Sequence, residues 1–425
     1  MLVLTIIYAK IREIWKTSKY CHAFQPVLSH RNSYLRLPAH CMMKRYRTTK
    51  ALLTTLVLIT ATLAATAQST STTAEDIAAI MTKYDAVGAS VAVVKGDEII
   101  YNQSFGFRDL ATQEPLENDD VFRIASISKS FVATGLMQLV DAGKLSLDDD
   151  VGKLIGFPIR NPNYPDSVIT LRMVLSHTSS ISDKNGYFTL DTFNPEKNSD
   201  WAKAYNDYAP GTSYQYCNLN FNLAGSILEK HSGERFDQYV RKHVLEPLGL
   251  YASYNVNELD SMRFATLYTY DADSNRFIAS PAAYRSPSMA LKDYKMGYSA
   301  PIFSPTGGMK ISAADLATYM TMHMNYGVLG NTRILSKESA RTMQTSVPAG
   351  KGYGLALQTK DNLISGEIMK GHTGLAYGLN SAMFFQPQEK FGFVVIINGS
   401  RTSYTDDFPD IHRDLINCLY RHFVL

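Results

Sequence analysis

The sequence predicts a mixed α/β protein: N- and C-terminal strands form one antiparallel sheet flanked by helices, and a mainly helical lobe is inserted between them. Strand-like apolar patterns occur near both ends of the 425-residue chain, and helical, turn-rich segments fill roughly 145–345. An amphipathic helical pattern closes the chain. Strands at both ends around a helical middle imply a layered fold that the lobe interrupts.

The first predicted elements are a hairpin and a helix. The stretch "ASVAVVKGDEIIYNQSFGFRDL" predicts two strands joined by a turn around Gly96. Residues 126–142 predict a helix that ends at Gly143, a residue type favoured where helices terminate. The apolar face of this helix has i, i+4, i+7, i+8 spacing and comprises Val132, Leu136, Leu139 and Val140.

The C-terminal part predicts four strands and one helix. The strand patterns are "GYGLALQT", "SGEIMKGHTG", "LNSAMFFQPQ" and "KFGFVVIING". The helical pattern is "FPDIHRDLINCLYRHFV". Together with the first hairpin, these strands supply enough apolar segments for one central sheet.

The N-terminal region has the pattern of a secretory signal. A basic segment, "MKRYRTTK", precedes the apolar "ALLTTLVLITATLAA", and small residues lead to a cleavage site near Ala67. We therefore expect a signal peptide over 43–67, a linker over 68–75 and one large folded domain over 76–425, in the periplasm or secreted. An uncleaved N-terminal membrane anchor is the alternative. Residues 1–42 are interpreted as a mis-assigned upstream extension, which leaves the true start codon open.

Charge and cysteine content exclude several classes of function. Residues 1–67 hold ten of the 42 basic residues and one acid, so the rest of the chain is net acidic and a nucleic-acid partner is not expected. Beyond the leader only Cys217 and Cys418 remain, too few for a disulfide framework. No residue cluster has metal-ligand spacing, so no metal and no other cofactor is predicted. Nothing indicates an obligatory protein partner.

The segment "FRIASISKSF" contains the only S-x-x-K in the chain, Ser126 to Lys129. Positions i and i+3 share a helix face, so the two side chains are expected side by side, whereas Ser128 and Ser130 point elsewhere. A neighbouring lysine can activate a serine as a nucleophile. An N-capping serine beside a solvated lysine is the structural alternative.

Two further motifs favour the catalytic interpretation. Tyr216-Cys217-Asn218 is the only Y-x-N in the chain and precedes a helical pattern. His372-Thr373-Gly374 lies between two predicted strands, where a backbone N–H group can face a substrate carbonyl. No G-x-S-x-G occurs, which argues against a hydrolase of the nucleophile-elbow type.

In this order the three motifs resemble those of the serine β-lactamase and penicillin-binding-protein superfamily, in the branch that holds class C β-lactamases, D-Ala-D-Ala carboxypeptidases and related esterases. The similarity runs from about Asp76 to the C-terminus and includes "LRMVLSHTSS" and "SPTGGMKISAADLATYM". It implies an exported serine hydrolase that forms an acyl-enzyme on amide, ester or lactam bonds of a small-molecule or peptidoglycan-peptide substrate. The alternative is a catalytically silent protein that binds peptidoglycan peptides or penicillin.

The resemblance implies a role for each motif residue. Ser126 is the nucleophile, and Lys129 and Tyr216 handle its proton, with the identity of the base left open. Asn218 binds the substrate amide, His372, Thr373 and Gly374 bind substrate, and His372 also tunes Tyr216. The backbone N–H groups of Ser126 and Leu375 form the oxyanion hole.

Some positions depart from the family pattern. His372 stands where many relatives have lysine, which argues against a dedicated β-lactamase. Ser180 stands where relatives usually have glycine, and the role of Cys217 is open. The pair His177 and Ser179 is expected to be structural. The loop 282–305 is predicted at the rim of the cleft, for substrate selection or for packing.

Overall fold

The strands at the two ends of the chain meet in one sheet, as the sequence predicts. The computed structural model describes residues 72–425. The helices are α1 (72–83), α2 (Ser128–Asp141), α3 (Val151–Ile155), α4 (Leu171–Leu175), α5 (Asn218–Ser232), α6 (Phe236–Val240), α7 (Ala313–Met324), α8 (Lys337–Gln344) and α9 (Asp410–Phe423).

The strands are short in the middle of the chain and long at its ends. They are β1 (Gly88–Lys95), β2 (Glu98–Asp109), β3 (Glu114–Pro115), β4 (Phe122–Arg123), β5 (Tyr268–Asp271), β6 (Arg276–Ala279), β7 (Lys310–Ile311), β8 (Val328–Leu329), β9 (Thr332–Arg333), β10 (Gln358–Lys360), β11 (Met369–Ala376), β12 (Leu379–Gln386), β13 (Phe391–Ile397), β14 (Tyr404–Thr405) and β15 (Phe408–Pro409).

Seven strands form the central antiparallel sheet in the order β10-β11-β12-β13-β1-β2-β3. The pairing of β1 with β13 joins the two ends of the chain, with Ala89 opposite Ile397. Both strands are apolar along their length because helices cover both faces of the sheet. The predicted fold class is thereby confirmed.

The side chains of β1 alternate between two cores. Val91 and Val93 face a cluster that contains residues of α1 and α9. Ala92 and Val94 face the larger cluster, which contains residues of α2, α5 and α7. The sheet thus separates a layer of two terminal helices from the helical lobe, and the period-2 alternation of a strand sets which side chain enters which core.

Several boundaries differ from the predictions. The helix predicted over 126–142 begins at Ser128, after a 3₁₀ turn over Ala125–Ile127. Of the predicted strand "GYGLALQT" only the end forms β10, since the residues before it are turns and an isolated bridge. Residues 72–75, predicted as the end of a linker, form the first turn of α1.

The remaining predictions for the N-terminal region concern residues that the structure does not describe. The proposed extension 1–42, the signal peptide or anchor 43–67 and the linker residues 68–71 lie outside the described residues. Within 72–425, none of the helices combines the length and the hydropathy that a membrane-spanning segment requires.

The lobe inserted between β3 and β10 consists of helices, 3₁₀ turns and short strand pairs. β4 pairs with β7, β5 with β6, and β8 with β9. The β4–β7 pair is important for the site, because β4 leads directly into the turn that carries Ser126. The helical lobe predicted at roughly 145–345 is therefore present, with short hairpins inside it.

Candidate active site

Ser126 lies in a tight turn between β4 and α2. Ala125 has a positive φ of 55°, a region that residues other than glycine rarely adopt. The N–H group of Ser126 donates to Ile124 O (2.7 Å), and the Ser381 hydroxyl of β12 donates to the same carbonyl (3.1 Å). Such strain costs on the order of 1 kcal/mol and is typical of functional sites. The turn holds the Ser126 side chain at the wall of a cavity of about 790 Å³.

Lys129 is fully buried beside Ser126. Its Nζ atom lies 3.1 Å from Ser126 Oγ, 3.0 Å from Asn218 Oδ1 and 2.7 Å from Thr306 O. Burial lowers the pKa of Lys129 to about 7, against the opposing effect of the negative charge of Asp183. Near neutral pH a substantial fraction of this lysine is therefore an uncharged amine.

The other serines of the segment face away from the cavity, as predicted. Ser128 Oγ accepts a hydrogen bond from Met309 N (3.1 Å), and Ser130 Oγ donates to Ile127 O (2.7 Å). Both hydroxyls are buried and form hydrogen bonds with backbone atoms. Of the three serines in "SISKS", Ser126 alone lines the cavity.

Tyr216 lies at the cavity wall, in contact with Lys129 and with the ring of His177. Lys129 Nζ is 4.8 Å from the centre of the Tyr216 ring, and the His177 ring is 4.3 Å away. Burial raises the pKa of Tyr216 well above its ordinary value, and a hydrogen bond with Ser126 only partly offsets this. In this environment Tyr216 is held as a neutral phenol.

Asn218, the first residue of α5, is held at both ends of its side-chain amide. Its Oδ1 atom accepts from Lys129 Nζ and from Thr306 Oγ1 (2.7 Å). Its Nδ2 group donates to Asp183 Oδ2 (2.9 Å). Two acceptor sites and one donor are thus used within the protein, and one N–H of Nδ2 remains for a substrate carbonyl.

His372 lies on β11, where it is buried at the cavity wall. Its Nε2 atom is 2.7 Å from the Tyr353 hydroxyl, and Nδ1 bonds to Thr373 O. Because a carbonyl accepts only, Nδ1 carries the proton and Nε2 accepts from Tyr353. Burial, followed by the charge of Lys129, lowers the pKa of His372 to about 3. The imidazole is neutral and does not supply a positive charge for a substrate carboxylate.

The two residues predicted to form the oxyanion hole, Ser126 and Leu375, both line the cavity. A Cβ atom at Gly374 would lie 2.2 Å from Ile124 O and 3.0 Å from Ser126 N, so β11 approaches the serine turn closely. Leu375 follows at the cavity edge, with its side chain 56 % exposed. The N–H group of Ser126, however, donates to Ile124 O in the described conformation. This donor is available to a substrate only if that bond is released or shared.

The cavity contains groups that the sequence did not reveal. Arg123 lies at its wall, where it donates to Gly307 O (2.9 Å) and packs over the Tyr377 ring at 4.8 Å. Aromatic side chains line much of the remaining wall, including Tyr187, Phe188 and Tyr214.

Three other groups that the sequence did not reveal are Thr306, which lines the cavity, and Asp183 and Tyr353, which support the site through hydrogen bonds. Their contacts go to α2, α5 and β11. These residues come from segments far apart in the sequence. Thr306 belongs to "SPTGGMKISAADLATYM", one of the segments that carry the resemblance, and Asp183 lies near "HTSS", but neither segment assigned a role to the residue.

The segment "HTSS" is structural, in agreement with its interpretation. His177 Nδ1 accepts from Cys217 N (3.1 Å), and burial lowers the pKa of His177 well below its ordinary value. Ser179 Oγ donates to Asn220 Oδ1 (2.8 Å) instead of contacting His177. Ser180 has a φ of 63°, which explains why glycine suits this position.

Cys217 has a structural role that the sequence left open. Its buried thiol lies 3.2 Å from Asp183 Oδ1, and burial raises the pKa of Cys217 well above its ordinary value. The thiol stays protonated and acts as one of the donors to that carboxylate.

The loop 282–305 mainly packs against α5. Tyr294 OH bonds to Glu229 Oε1, and Gly297 N donates to Glu229 Oε2 (2.8 Å). Only Ser304, at the end of the loop, lines the cavity. Packing is thus its main structural role.

Among the described residues, one trio of potential metal ligands occurs, although its spacing was not recognised in the sequence. It consists of Asp76, Cys418 and His422, whose ligand atoms lie within 4.8 Å of one another. His422 Nε2 is 2.8 Å from Asp76 Oδ2, which links α1 to α9. None of the three lines the active-site cavity.

The layered fold together with a serine, a buried lysine and a tyrosine at one cavity defines the class of serine β-lactamase and penicillin-binding-protein-like proteins. A profile of the Beta-lactamase family matches residues 73–415, so the chain belongs to that family. Penicillin-binding protein 4 of Amycolatopsis lactamdurans is 30% identical over 356 residues, which cover 80% of this chain and 87% of that protein.

Solved structures show the same fold. The octameric penicillin-binding protein homologue from Pyrococcus abyssi matches with a TM-score of 0.64 at 27% identity, over 83% of this chain and 77% of that chain. A class C β-lactamase from Rhodobacter sphaeroides matches with a TM-score of 0.61 over 83% of this chain and 99% of that chain. Its identity is 18%, so this likeness concerns the fold alone.

Proposed function

We propose that this protein is a serine hydrolase that forms an acyl-enzyme on Ser126, with Lys129 in its uncharged form as the base. The observation that carries the proposal is the 3.1 Å contact between Lys129 Nζ and Ser126 Oγ, in a buried site that lowers the pKa of the lysine to about 7. A base with a pKa near the working pH is the effective one. Tyr216, held as a phenol, is suited to pass a proton to the leaving group.

The reaction proceeds in two steps. The Ser126 hydroxyl transfers its proton to Lys129 as Oγ bonds to the substrate carbonyl carbon, and the leaving amine or alcohol departs with a proton delivered through Tyr216. Water then attacks the acyl-enzyme and releases the acid, which regenerates Ser126. The Nδ2 group of Asn218 binds the substrate amide, and the Leu375 N–H is one oxyanion donor.

The proposed substrates are amides, esters and lactams, the classes that the family resemblance implies. The similar proteins include penicillin-binding protein 4 of Amycolatopsis lactamdurans, which supports this range without selecting within it. The neutral state of His372 favours substrates that do not require a cation at this position. Arg123 is the cation that lines the cavity among the described residues.

One observation favours a second candidate, a silent protein that binds peptidoglycan peptides or penicillin. The Ser126 N–H group is engaged by Ile124 O, whereas an efficient oxyanion hole needs its donors directed at the developing charge. In a silent protein this bond persists when a ligand occupies the cavity. In a catalyst it opens on acylation.

Covalent labelling tests the proposal. Ser126→Ala should abolish labelling by a fluorophosphonate and by a fluorescent penicillin, because the acylated oxygen is gone; loss of a nucleophilic serine costs about 10⁶ in turnover. Ser130→Ala is the matched control, since this hydroxyl lies on the same helix and faces away from the cavity. Labelling that persists in Ser126→Ala, or that maps to Ser128 or Ser179, contradicts the assignment. A wild-type protein that no reagent labels supports the silent candidate.

The proposal also includes export through the signal peptide over 43–67. The basic segment, the apolar segment and the small residues before Gln68 support it. N-terminal sequencing of protein purified from the native host should find Gln68 as the first residue. A membrane-bound form that retains 43–67 would instead establish the anchor.

A further inference from the structure

Asp183 lies in a 3₁₀ turn directly opposite the N-terminus of α5 and accepts four hydrogen bonds there. Oδ2 accepts from the backbone N (2.8 Å) and side-chain Nδ2 (2.9 Å) of Asn218. Oδ1 accepts from Leu219 N (2.9 Å) and from Cys217 Sγ (3.2 Å). Among the described residues, no lysine or arginine forms an ion pair with this carboxylate.

These contacts determine which way the Asn218 amide faces. A carboxylate accepts hydrogen bonds and donates none, so the NH₂ end of the amide must point to Asp183. The oxygen end then points to Lys129 Nζ and the Thr306 hydroxyl. In the reverse orientation two donors would oppose each other at Lys129 and an oxygen would oppose the carboxylate.

We propose that Asp183 is a positioning residue of the active site, which orients Asn218 toward Lys129 and supplies the negative charge that balances the lysine ammonium. This role deepens the proposed function and rests on it. Lys129 is buried and, within 72–425, forms no hydrogen bond with a carboxylate. The nearby charge of Asp183 explains how this lysine can still bind a proton. Asp183 acts through Asn218 and by its field, and it does not touch the reacting serine.

The other groups around Lys129 do not supply this charge. The Cys217 thiol and the Tyr216 phenol stay protonated because burial raises the pKa of both groups. His177 and His372 stay neutral, since burial and the lysine charge lower the pKa of both rings. Thr306 contributes only a carbonyl dipole.

The alternative is that Asp183 only caps α5. Both roles predict a loss of stability when the carboxylate is removed, because the donors at the helix start lose a partner. Only the positioning role predicts a change in the titration of Lys129. The experiment must therefore measure the titration of Lys129 directly.

The test is an NMR titration of protein carrying ¹³C-labelled lysine, with the Lys129 signal assigned by its loss in Lys129→Ala. In Asp183→Asn the midpoint of Lys129 should fall by about one pH unit, because the opposing charge that raises its pKa is removed. The asparagine side chain has one oxygen, so it can accept from only one of the two pairs of donors that the Asp183 carboxylate binds. Asp183→Glu, which keeps the charge, should leave the midpoint within about 0.3 unit of the wild type.

Asp150→Asn is the matched control for helix capping. Asp150 Oδ1 accepts from Gly152 N (2.9 Å) at the start of α3, and Asp150 does not line the cavity. This variant should lose stability without moving the Lys129 midpoint. Asp183→Ser, which is smaller, repeats the charge removal if Asp183→Asn does not fold.

An unchanged Lys129 midpoint in the folded variants without the Asp183 charge overturns the proposal, and so does an equal shift in Asp150→Asn. The pH profile of acylation should move to lower pH by the same amount as the NMR midpoint. Failure of the wild type to be acylated refutes the proposed function, whereas the NMR shift still reports on Asp183. The two failures are thus distinguishable.

Discussion

Lys129 shows how burial changes the chemistry of a single residue. An exposed lysine is protonated at neutral pH and cannot accept the proton of a serine. Here desolvation lowers its pKa to about 7, while contacts from Ser126, Asn218 and Thr306 hold the amine in place. The position of the side chain follows from helix spacing, but its basicity comes from the packing around it.

This lowered pKa predicts a pH dependence. The value of kcat/KM for an uncharged ester such as p-nitrophenyl acetate should fall about tenfold per pH unit below a midpoint near 7, because protonation removes the base. His372 does not contribute to this limb, since its pKa is about 3.

Initial rates between pH 5 and 9 measure the limb, and thermal unfolding at each pH separates it from loss of the fold. A midpoint near the ordinary lysine value, or a flat profile across this range, would show that Lys129 is not the base.

At the scale of the element, β11 can lie against the serine turn because residue 374 is a glycine. The backbone of β11 and the turn at Ser126 approach so closely that a single methyl group would strike Ile124 O. Ser381 of β12 holds the same carbonyl from the neighbouring strand. The sheet therefore determines the distance between Ser126 and the strand that is expected to bind substrate.

Gly374→Ala should reduce acylation of Ser126 by at least about a hundredfold, the range seen when one oxyanion donor is lost, because β11 must move away from the turn. Gly366→Ala is the control. Gly366 has a φ of 84° and open space around its Cα, so this variant loses stability through backbone strain without touching the cavity. Equal labelling rates in Gly374→Ala and the wild type would exclude a role for the close approach.

For the whole molecule, the question is which bond the proposed hydrolase cleaves. The cavity of about 790 Å³ lies between the sheet and the lobe, and its lining includes several tyrosines, Phe188 and Arg123. Acylation needs the serine, its base and an oxyanion hole. Rapid deacylation of a β-lactam adduct further needs a water activated beside the ester, and no sequence motif supplies a dedicated carboxylate for it. Among the described lining residues the carboxylate is Asp407, which belongs to none of the three site motifs.

We therefore expect a penicillin to acylate Ser126 and to be released slowly, whereas small esters or D-Ala-D-Ala peptides turn over. Intact-mass time courses with a chromogenic cephalosporin, p-nitrophenyl acetate and a D-Ala-D-Ala peptide compare the three directly. Cephalosporin turnover at roughly hundreds per second, the upper range of typical enzymes, would identify a β-lactamase instead.

The sequence alone determined the features that depend on local periodicity. The apolar-rich pattern of β1 predicted a strand, and i, i+3 spacing predicted that Ser126 and Lys129 lie side by side. The order of the three motifs along the chain was sufficient to relate them to one superfamily. Helix boundaries were less accurate, because the turn at Ala125 depends on the strand that precedes it and on a carbonyl held by β12.

Only the tertiary structure decided how the groups of the site are charged and oriented. Asp183 and Thr306 reach Asn218 and Lys129 from segments distant in the sequence, so no local pattern could place them. The neutral state of His372 results from its burial, which depends on the complete fold. Pattern and spacing are properties of neighbouring residues, whereas desolvation and hydrogen-bond orientation are properties of everything packed around a group.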